Sequence, residues 1–383
     1  MNTSSPAANS ARSLRILQIN SLFSGGGVDN QTLELTRALH DLGHHVGMAV
    51  AANSRWEERA RHIGCPVTTF PSKSALRWRL IAHLVSVLRR RRVEILHIHQ
   101  GRDYWPGIIA ARLAGQGTRV VITRHLMTRP RGFSRSNLLK FADIVAVSHA
   151  VERVLREELQ GNQKRIHQIH CGIDIARFHP GRTPAGSAIR EELGCAPSDV
   201  LFGVVGMYER PRGKGQFEFL EAAHRIAQQH PNARFVLVGK GGLQAELESM
   251  IQTSGLTGRA SMVGFREDMP ALMSALDVLV HPTTGTEAFP LVVLEAFASG
   301  KPVIASDLDG IPEQVVPEVH GLLVPRADVP ALANAMSRLA GNPELRARMG
   351  EAGRGHVETR FTREILGSRF EELYLNLVGG TAS

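Results

Sequence analysis

Two glutamates, Glu287 and Glu295, occupy a segment whose residues change from apolar to polar and back to apolar. The run Val278–His281 has the length and composition of a buried strand, and a polar loop follows it. Pro290 suits the first turn of a helix over Leu291–Ser299, which the following Gly-Lys-Pro sequence would end. Glu287 is therefore predicted just before a helix N-terminus, with Glu295 about 7 Å further along the helix axis.

This arrangement predicts a site for a sugar nucleotide. The free N–H groups of a first helical turn, with the positive end of the helix dipole, favour a phosphate. Carboxylates accept paired hydrogen bonds from vicinal hydroxyls, which sugars and riboses present, so two carboxylates flanking an anion site fit such a ligand. The alternative is a solvated loop acid at Glu287 and an exposed helix residue at Glu295. The apolar neighbours of Glu295, Leu294 and Phe297 among them, favour the ligand site.

A second group of residues lies where a strand near Val204 gives way to a helix that begins near Gly215. Flexible glycines stand there beside three cations, Arg210, Arg212 and Lys214. Such side chains can neutralise a diphosphate leaving group, with charge-assisted hydrogen bonds that contribute roughly 1.5–3 kcal/mol each. The alternative interpretation is a basic surface turn.

Two patterns raise the question of a metal ion. His97 and His99 alternate along a predicted strand and so lie on one face, but no Cys, Asp or Glu completes a ligand set. Asp307-Leu308-Asp309 matches an Asp-x-Asp metal motif, but it lies far along a chain that is organised as two domains. We therefore expect no metal site.

The elements that position these residues form two series. Apolar strands rich in β-branched residues alternate with helical segments, first from Leu14 to His170 and again from Val200 to Val324. This pattern predicts parallel sheets covered by helices on both faces. The Pro/Gly-rich stretch 172–186 is the predicted linker. We predict a disordered tail over 1–13, domains over 14–178 and 179–360, and a C-terminal helix over 361–383 that packs back on them. Ligands of two such domains bind in the cleft between them.

Chain length and composition indicate a two-domain protein of a reducing compartment. A chain of 383 residues suits two α/β domains. Three scattered cysteines indicate a reducing compartment, and no apolar run approaches the ~20 residues of a membrane span. The first thirteen residues do not resemble a signal peptide.

The formal charge of +9 is unevenly divided between the two halves. Residues 1–180 hold 26 Lys and Arg against 12 Asp and Glu, whereas the remainder holds 19 against 24. The basic half, including the helix predicted over 77–92, suits an anionic membrane or an anionic acceptor. A solvated basic surface is the alternative, and nucleic acid is disfavoured because aromatic residues are not interleaved with the arginines.

The segment Glu-Ala-Phe-Pro-Leu-Val-Val-Leu-Glu-Ala, with Glu287 and Glu295 spaced as Glu-x7-Glu, resembles the signature of the family 4 glycosyltransferases. These enzymes have the GT-B fold, an α/β architecture of two Rossmann-like, doubly wound domains that face a central cleft. The resemblance covers nearly the whole chain and includes the glycines at 25–27, His-x-His at 97–99, Ala142–Ser148 and Cys171–Asp174.

The resemblance implies roles for individual residues. Glu287 contacts the donor sugar, Glu295 holds the nucleotide ribose, and the backbone N–H groups of Phe289 and Leu291 face the donor. Lys214 matches the family lysine. Met207 stands at the usual arginine position, so Arg210 or Arg212 is expected to act instead, with Arg210 preferred. Three further residues are expected at the cleft: His125, Gly26 and Gly27.

The implied activity is sugar transfer from a UDP- or GDP-linked donor to a glycan or lipid-linked acceptor. The resemblance also implies retention at the anomeric carbon, no metal or other cofactor, and a role in cell-envelope polysaccharide or lipopolysaccharide synthesis. The expected location is the cytoplasm, with peripheral contact at the inner face of the cytoplasmic membrane. Two alternatives remain open. One is a sugar-nucleotide epimerase of the same fold, and the other is a nucleotide-sugar binding protein without catalysis, which Met207 motivates.

Overall fold

The computed structural model describes residues 12–21, 26–52, 55–70, 77–210 and 213–380. The first sheet has seven parallel strands in the order β3-β2-β1-β4-β5-β6-β7. These strands are β1 (Arg15–Asn20), β2 (His45–Ala51), β3 (Val67–Phe70), β4 (Ile95–Ile98), β5 (Arg119–Arg124), β6 (Asp143–Ala146) and β7 (Ile166–Gln168). Its helices are α1 (Gly27–Asp41), α2 (Arg55–His62), α3 (Arg77–Arg91), α4 (Tyr104–Ala114), α5 (Phe133–Phe141) and α6 (His149–Glu158).

The second sheet has six parallel strands in the order β10-β9-β8-β11-β12-β13. These are β8 (Val200–Val205), β9 (Ala233–Val238), β10 (Ala260–Met262), β11 (Val278–His281), β12 (Val303–Ser306) and β13 (Gly321–Val324). Its helices are α7 (Pro184–Glu192), α8 (Gln216–Ala227), α9 (Gln244–Thr253), α10 (Met269–Ala275), α11 (Leu291–Ala298), α12 (Val329–Ala340) and α13 (Pro343–Arg360). A last helix, α14 (Arg363–Gly379), follows.

Both sheets are doubly wound, which confirms the predicted fold class. Every residue of the central strands β4, β6, β11 and β12 is buried, as expected where helices cover both faces of a parallel sheet. The strand order reverses between β1 and β4 in the first sheet and between β8 and β11 in the second. Ligand sites of such sheets lie outside the carboxyl ends of the strands at these reversals.

The segments outside the two sheets were predicted in less detail. Helix α7 begins at Pro184, inside the stretch 172–186 that was predicted as a linker, and Thr183 caps it by accepting the Gly186 N–H at 3.1 Å. Most of the predicted tail over 1–13 lies outside the described residues. None of the helices in the described part of the chain has the length and apolar character that crossing a membrane requires.

The C-terminal helix α14 returns to the first domain and packs against α1. Its buried side chains, Leu366, Phe370, Leu373 and Tyr374, join the core of the first sheet. The Tyr374 hydroxyl lies 2.6 Å from His97 Nδ1, and Arg363 at the start of the helix pairs with Asp174 at 2.8 Å. The chain therefore crosses between the domains twice, once near Asp174 and once at the start of α14.

We expect Phe370→Ala to destabilise the first domain by about 3–5 kcal/mol, because it opens a cavity in a well-packed core. Phe370 is 3% exposed, and its ring lies 5.2 Å from that of His97. Glu372→Ala, on the exposed side of the same helix, is the control and should change stability by less than about 0.5 kcal/mol. Urea unfolding would measure both changes. Equal midpoints for the two variants would contradict a core role for α14.

Candidate functional site

A cleft of about 560 Å³ lies between the two domains. The second domain contributes the residues that follow β8 and β11, and the first domain contributes residues that follow β1 and β5. The cleft lining includes most of the residues predicted from the sequence: Gly26, Gly27, His125, Lys214, Glu287, Phe289, Leu291 and Glu295.

Among the described residues that line the cleft, one predicted residue, Arg210, is missing. The Arg210 guanidinium pairs with Glu246 and donates to the Gly242 carbonyl at 3.4 Å, on an exposed surface. Arg212 lies outside the described residues. Met207, which stands at the position of the usual family arginine, does line the cleft. The sequence favoured Arg210 as the replacement for the family arginine, but in this structure its guanidinium contacts Glu246 and does not line the cleft.

Glu287 is the most enclosed acid in the cleft, with 9% of its surface exposed. Lys214 Nζ donates to Glu287 Oε1 at 2.5 Å, and His281 Nε2 lies 3.3 Å from the same oxygen. Burial by itself would raise the pKa of Glu287, but His281 and Lys214 outweigh this effect and lower the pKa to about 2. Glu287 is therefore ionised throughout the neutral pH range.

The Lys214 side chain passes close to Gly206, the residue after β8, to reach Glu287. A Cβ atom on Gly206 would lie 2.6 Å from Lys214 Cγ, closer than real side chains approach one another. Because β8 and β11 are adjacent in the sheet, the loop that carries Lys214 and the loop that carries Glu287 leave it side by side. The strand order therefore brings a cation and a carboxylate together at the sheet reversal.

Glu295 projects into the cleft from the second turn of α11. Burial raises its pKa to about 7, the charge of Arg177 opposes that shift, and Glu34 reinforces it. Arg177 belongs to the segment that joins the domains, and it also lines the cleft. Glu295 thus changes its ionisation near neutral pH, whereas Glu287 does not.

A buried hydrogen-bonded chain positions His125. His125 Nε2 lies 3.3 Å from His99 Nδ1, and His99 Nε2 lies 2.7 Å from Gln18 Oε1. Burial, and then the charge of Arg124, lowers the pKa of His125 to about 3. His125 is therefore neutral and can offer a ligand a hydrogen bond rather than a charge.

The residues that raised the question of a metal have protein partners. His97 lies between Thr123 Oγ1 at 2.7 Å and the Tyr374 hydroxyl at 2.6 Å. Asp309 accepts the backbone N–H of Glu287 at 3.0 Å. Both residues thus stabilise the elements around the cleft.

Comparisons with known proteins assign the family. The model described as Glycosyltransferase Family 4 matches residues 25–177. The model described as Glycosyl transferases group 1 matches residues 187–356. Between them the two matches span both domains and the residues of the cleft. The chain belongs to the family 4 glycosyltransferases.

Relatives of this family 4 glycosyltransferase include a GDP-mannose-dependent monoacylated alpha-(1-6)-phosphatidylinositol monomannoside mannosyltransferase of Corynebacterium glutamicum. It is 31% identical over 63% of this chain, and the match spans 65% of its own length, just under two thirds. A UDP-Gal:alpha-D-GlcNAc-diphosphoundecaprenol alpha-1,3-galactosyltransferase of Escherichia coli is 29% identical over 77% of this chain and 78% of its own.

Among solved structures, Anabaena Alr3699/HepE in complex with UDP-glucose superimposes on this family 4 glycosyltransferase with a TM-score of 0.81. It is 25% identical, and the match covers 94% of this chain and 99% of that chain. The whole two-domain architecture is therefore shared with GT-B glycosyltransferases.

Three residues around the cleft of this family 4 glycosyltransferase have roles that were not predicted from the sequence. His281 ends an otherwise apolar strand, and a polar residue at that position was a usable signal. Arg177 carried no such signal, and the Asp-x-Asp pattern of Asp309 pointed to a metal instead, because both positions depend on how distant segments pack. All three act on a predicted glutamate: His281 and Asp309 contact Glu287, and Arg177 opposes the pKa shift of Glu295.

We expect the affinity of this glycosyltransferase for UDP or GDP to rise about tenfold between pH 6 and pH 8, as Glu295 loses its proton near pH 7. This expectation follows from the predicted role of Glu295 at the ribose, because an ionised carboxylate is a stronger acceptor for the two ribose hydroxyls than a protonated carboxyl. Calorimetric titration with Glu295→Gln supplies the control, because the nucleotide's own ionisation affects both proteins equally. A pH dependence that is identical in the two proteins would contradict the role of Glu295.

Proposed function

We propose that this family 4 glycosyltransferase transfers a sugar from a nucleotide-sugar donor to a glycan or lipid-linked acceptor, with retention at the anomeric carbon. The observation that carries the proposal is the Lys214–Glu287 ion pair before the N-terminus of α11, with Glu295 in the second turn of the same helix. A cation, free helical N–H groups and two carboxylates match the phosphates, the sugar and the ribose of one donor.

In the proposed mechanism the donor lies along the second domain. The diphosphate lies against Lys214 and the backbone N–H groups of Phe289 and Leu291. Glu287 accepts hydrogen bonds from the donor sugar, and Glu295 accepts them from the ribose. Lys214 then stabilises the negative charge that develops on the leaving diphosphate. Arg210 could assist only after its guanidinium leaves Glu246.

The first domain completes the proposed site. A Cβ atom on Gly27 would lie 3.7 Å from the Leu291 side chain, so the N-terminus of α1 faces the start of α11 across the cleft. The backbone at Gly26 and Gly27 is thereby proposed to lie near the donor phosphates and the acceptor. Neutral His125 is proposed to hydrogen-bond a sugar hydroxyl.

Retention is proposed to follow from attack on the same face of the sugar that the diphosphate leaves. The acceptor hydroxyl forms a bond to the anomeric carbon while the bond to the diphosphate oxygen breaks, and the acceptor proton passes to that oxygen. Lys214 provides the positive charge for this step, so we propose that turnover persists in the presence of a chelator. The nucleotide sugar is a substrate, with UDP- and GDP-linked donors both represented among the relatives.

The acceptor is proposed to be lipid-linked or part of a cell-envelope glycan, with the enzyme at the inner face of the cytoplasmic membrane. The names of two relatives specify a phosphatidylinositol mannoside and a diphosphoundecaprenol substrate. In this chain, Ile109 and Leu113 form an exposed apolar stripe along α4. Trp105 extends the stripe, and its ring lies 4.7 Å from that of the exposed Phe133.

Arginines accompany this stripe, in keeping with peripheral binding to an anionic membrane. Arg112 lies between Ile109 and Leu113 in the sequence of α4. The arginines at the end of α3 are partly engaged within the protein, since Arg89 donates to the carbonyls of Leu113 and Ala114. The apolar stripe is therefore the better candidate for membrane contact than the end of α3.

We expect Glu287→Ala to reduce sugar transfer by at least about 100-fold, because it removes the group that orients the donor sugar. Lys214→Ala should reduce turnover to a similar extent and weaken UDP or GDP binding. A thermal-shift screen with UDP-, GDP- and ADP-sugars would identify the donor, since only a ligand of the folded state raises the melting temperature. Glu221→Ala, at an exposed acid on α8, serves as the control. Transfer at the wild-type rate by Glu287→Ala would refute the proposed site.

We expect the double substitution Ile109→Ser and Leu113→Ser to reduce binding to vesicles that contain phosphatidylglycerol. The substitutions remove apolar area that would enter the interfacial region of the membrane. Val319→Ser, at an exposed apolar residue of the second domain, is the matched control. Vesicle flotation would measure the bound fraction. Equal flotation of the double variant and the control would exclude the stripe as the membrane contact.

A further inference from the structure

One short segment, Asp309–Gln314, contacts both the loop that carries Glu287 and the opposite domain; we call it the bridge segment. The Glu287 N–H donates to Asp309 Oδ2 at 3.0 Å, and the Gly310 N–H donates to the Glu287 carbonyl at 3.1 Å. Gln314 Nε2 donates to the Pro290 carbonyl at 3.1 Å. Three hydrogen bonds therefore hold the loop from Glu287 to Pro290 against the bridge segment.

The fit between the loop and the bridge segment is close. A Cβ atom on Gly310 would lie 1.9 Å from the Ala288 carbonyl oxygen, so only glycine allows this contact between backbones. Asp309 has a φ of +50°, which a residue other than glycine adopts only when its surroundings impose it. Ile311 and Gln314 are fully buried. A displacement of the bridge segment is therefore expected to displace Glu287.

The other end of the bridge segment reaches the first domain through Glu313. Its carboxylate accepts the His149 N–H at 2.8 Å and the Ala150 N–H at 2.9 Å, in the first turn of α6. His170 Nε2 lies 2.9 Å from the same carboxylate. A carboxylate at a helix N-terminus satisfies free N–H groups and interacts favourably with the helix dipole. A side chain of the second domain thus caps a helix of the first.

His170 connects this cap to the cleft. Its ring stacks on Phe289, with the ring centres 5.0 Å apart and the planes inclined at 23°. Phe289 lies in the loop between Glu287 and α11 and lines the cleft. The first domain therefore contacts the Glu287 loop directly through His170 and indirectly through Glu313.

We infer that Glu313 is a positioning residue that couples docking of the two domains to the position of Glu287. This inference rests on the proposed function. When α6 and His170 dock on the second domain, they anchor the bridge segment and Phe289, and Glu287 is held where it can orient a sugar. When the domains separate, both supports are lost. A donor can then bind to the second domain alone, but transfer requires the docked arrangement.

The same cluster could be regarded as a metal site, because ligating atoms of His149, His170 and Glu313 all lie within 4.8 Å of one another. The electrostatic environment favours the positioning role. The Glu313 carboxylate faces two N–H groups at the positive end of a helix, and this environment stabilises an anion and opposes a nearby cation. Hydrogen bonds from His170 and from the two N–H groups also lower the pKa of Glu313, although burial opposes them.

The test compares Glu313→Ala with Glu313→Gln in the full-length protein. We expect Glu313→Ala to lower kcat about 10- to 100-fold, the effect of misplacing a catalytic group by about 1 Å. Its dissociation constant for UDP or GDP should stay within about twofold of the wild-type value, since the main proposed nucleotide contacts, Lys214 and Glu295, lie in the second domain away from the bridge segment. Glu313→Gln keeps one acceptor oxygen and should recover part of the lost turnover. Glu318→Ala, which removes an exposed acid paired with Arg338, is the matched control.

Hydrogen exchange provides a readout that does not depend on activity. In Glu313→Ala the amides of His149, Ala150 and Glu287 should exchange faster, whereas those of β11 should be unchanged. Absence of transfer in the wild-type protein would count against the proposed function, while faster exchange would still support the coupling. Unchanged exchange and wild-type turnover in Glu313→Ala would overturn the inference. Zinc-dependent thermal stabilisation that Glu313→Ala abolishes would also overturn it, by assigning the cluster to a metal.

Discussion

A buried, ionised carboxylate needs nearby groups that offset its loss of hydration. Glu287 is such a carboxylate, so the residues around it in the cleft must stabilise its charge. Lys214 supplies positive charge at the carboxylate and His281 a nearby ring nitrogen, while Asp309 and Gly310 bind the Glu287 backbone. Lys214 and Glu287 are 73 positions apart, and they meet because the strands that precede them are neighbours in the second sheet. The order of the strands is therefore the constraint on which the proposed site depends.

The two acids differ in ionisation because their surroundings differ. Lys214 Nζ and His281 Nε2 both lie within 3.3 Å of the Glu287 carboxylate and outweigh the effect of burial, so its pKa falls to about 2. Glu295 faces the same cleft from an apolar helix, where burial outweighs the more distant Arg177 and raises its pKa to about 7. Under the proposed function the sugar meets a permanent anion, whereas the ribose meets a group that titrates near neutral pH. The spacing of the two glutamates in the sequence does not predict this difference between their pKa values.

The first domain contributes a framework of buried, neutral hydrogen-bonding groups beside the cleft. Gln18, His99 and His125 form a buried chain of neutral groups, and a second chain joins Thr123 and His97 to Tyr374 in the C-terminal helix. Because α14 belongs by sequence to the end of the chain, its packing on α1 ties the two domains together. Glu313 makes a further connection at α6. Contacts made by α14 with the first domain and by Glu313 with α6 thus hold the two domains together around the cleft.

The sequence by itself determined the alternation of strands and helices, the two doubly wound sheets, the positions of Glu287 and Lys214 in loops that follow strands, and that of Glu295 inside a helix. These features follow from local periodicity and turn residues, which act over a few positions. The tertiary structure alone decided that Arg210 pairs with Glu246, that His281 faces Glu287 and that Glu313 caps α6. In this last contact, Glu313 is 164 positions from His149 and 163 positions from Ala150 in the sequence. Such contacts depend on how whole elements and domains dock, and no local pattern carries that information.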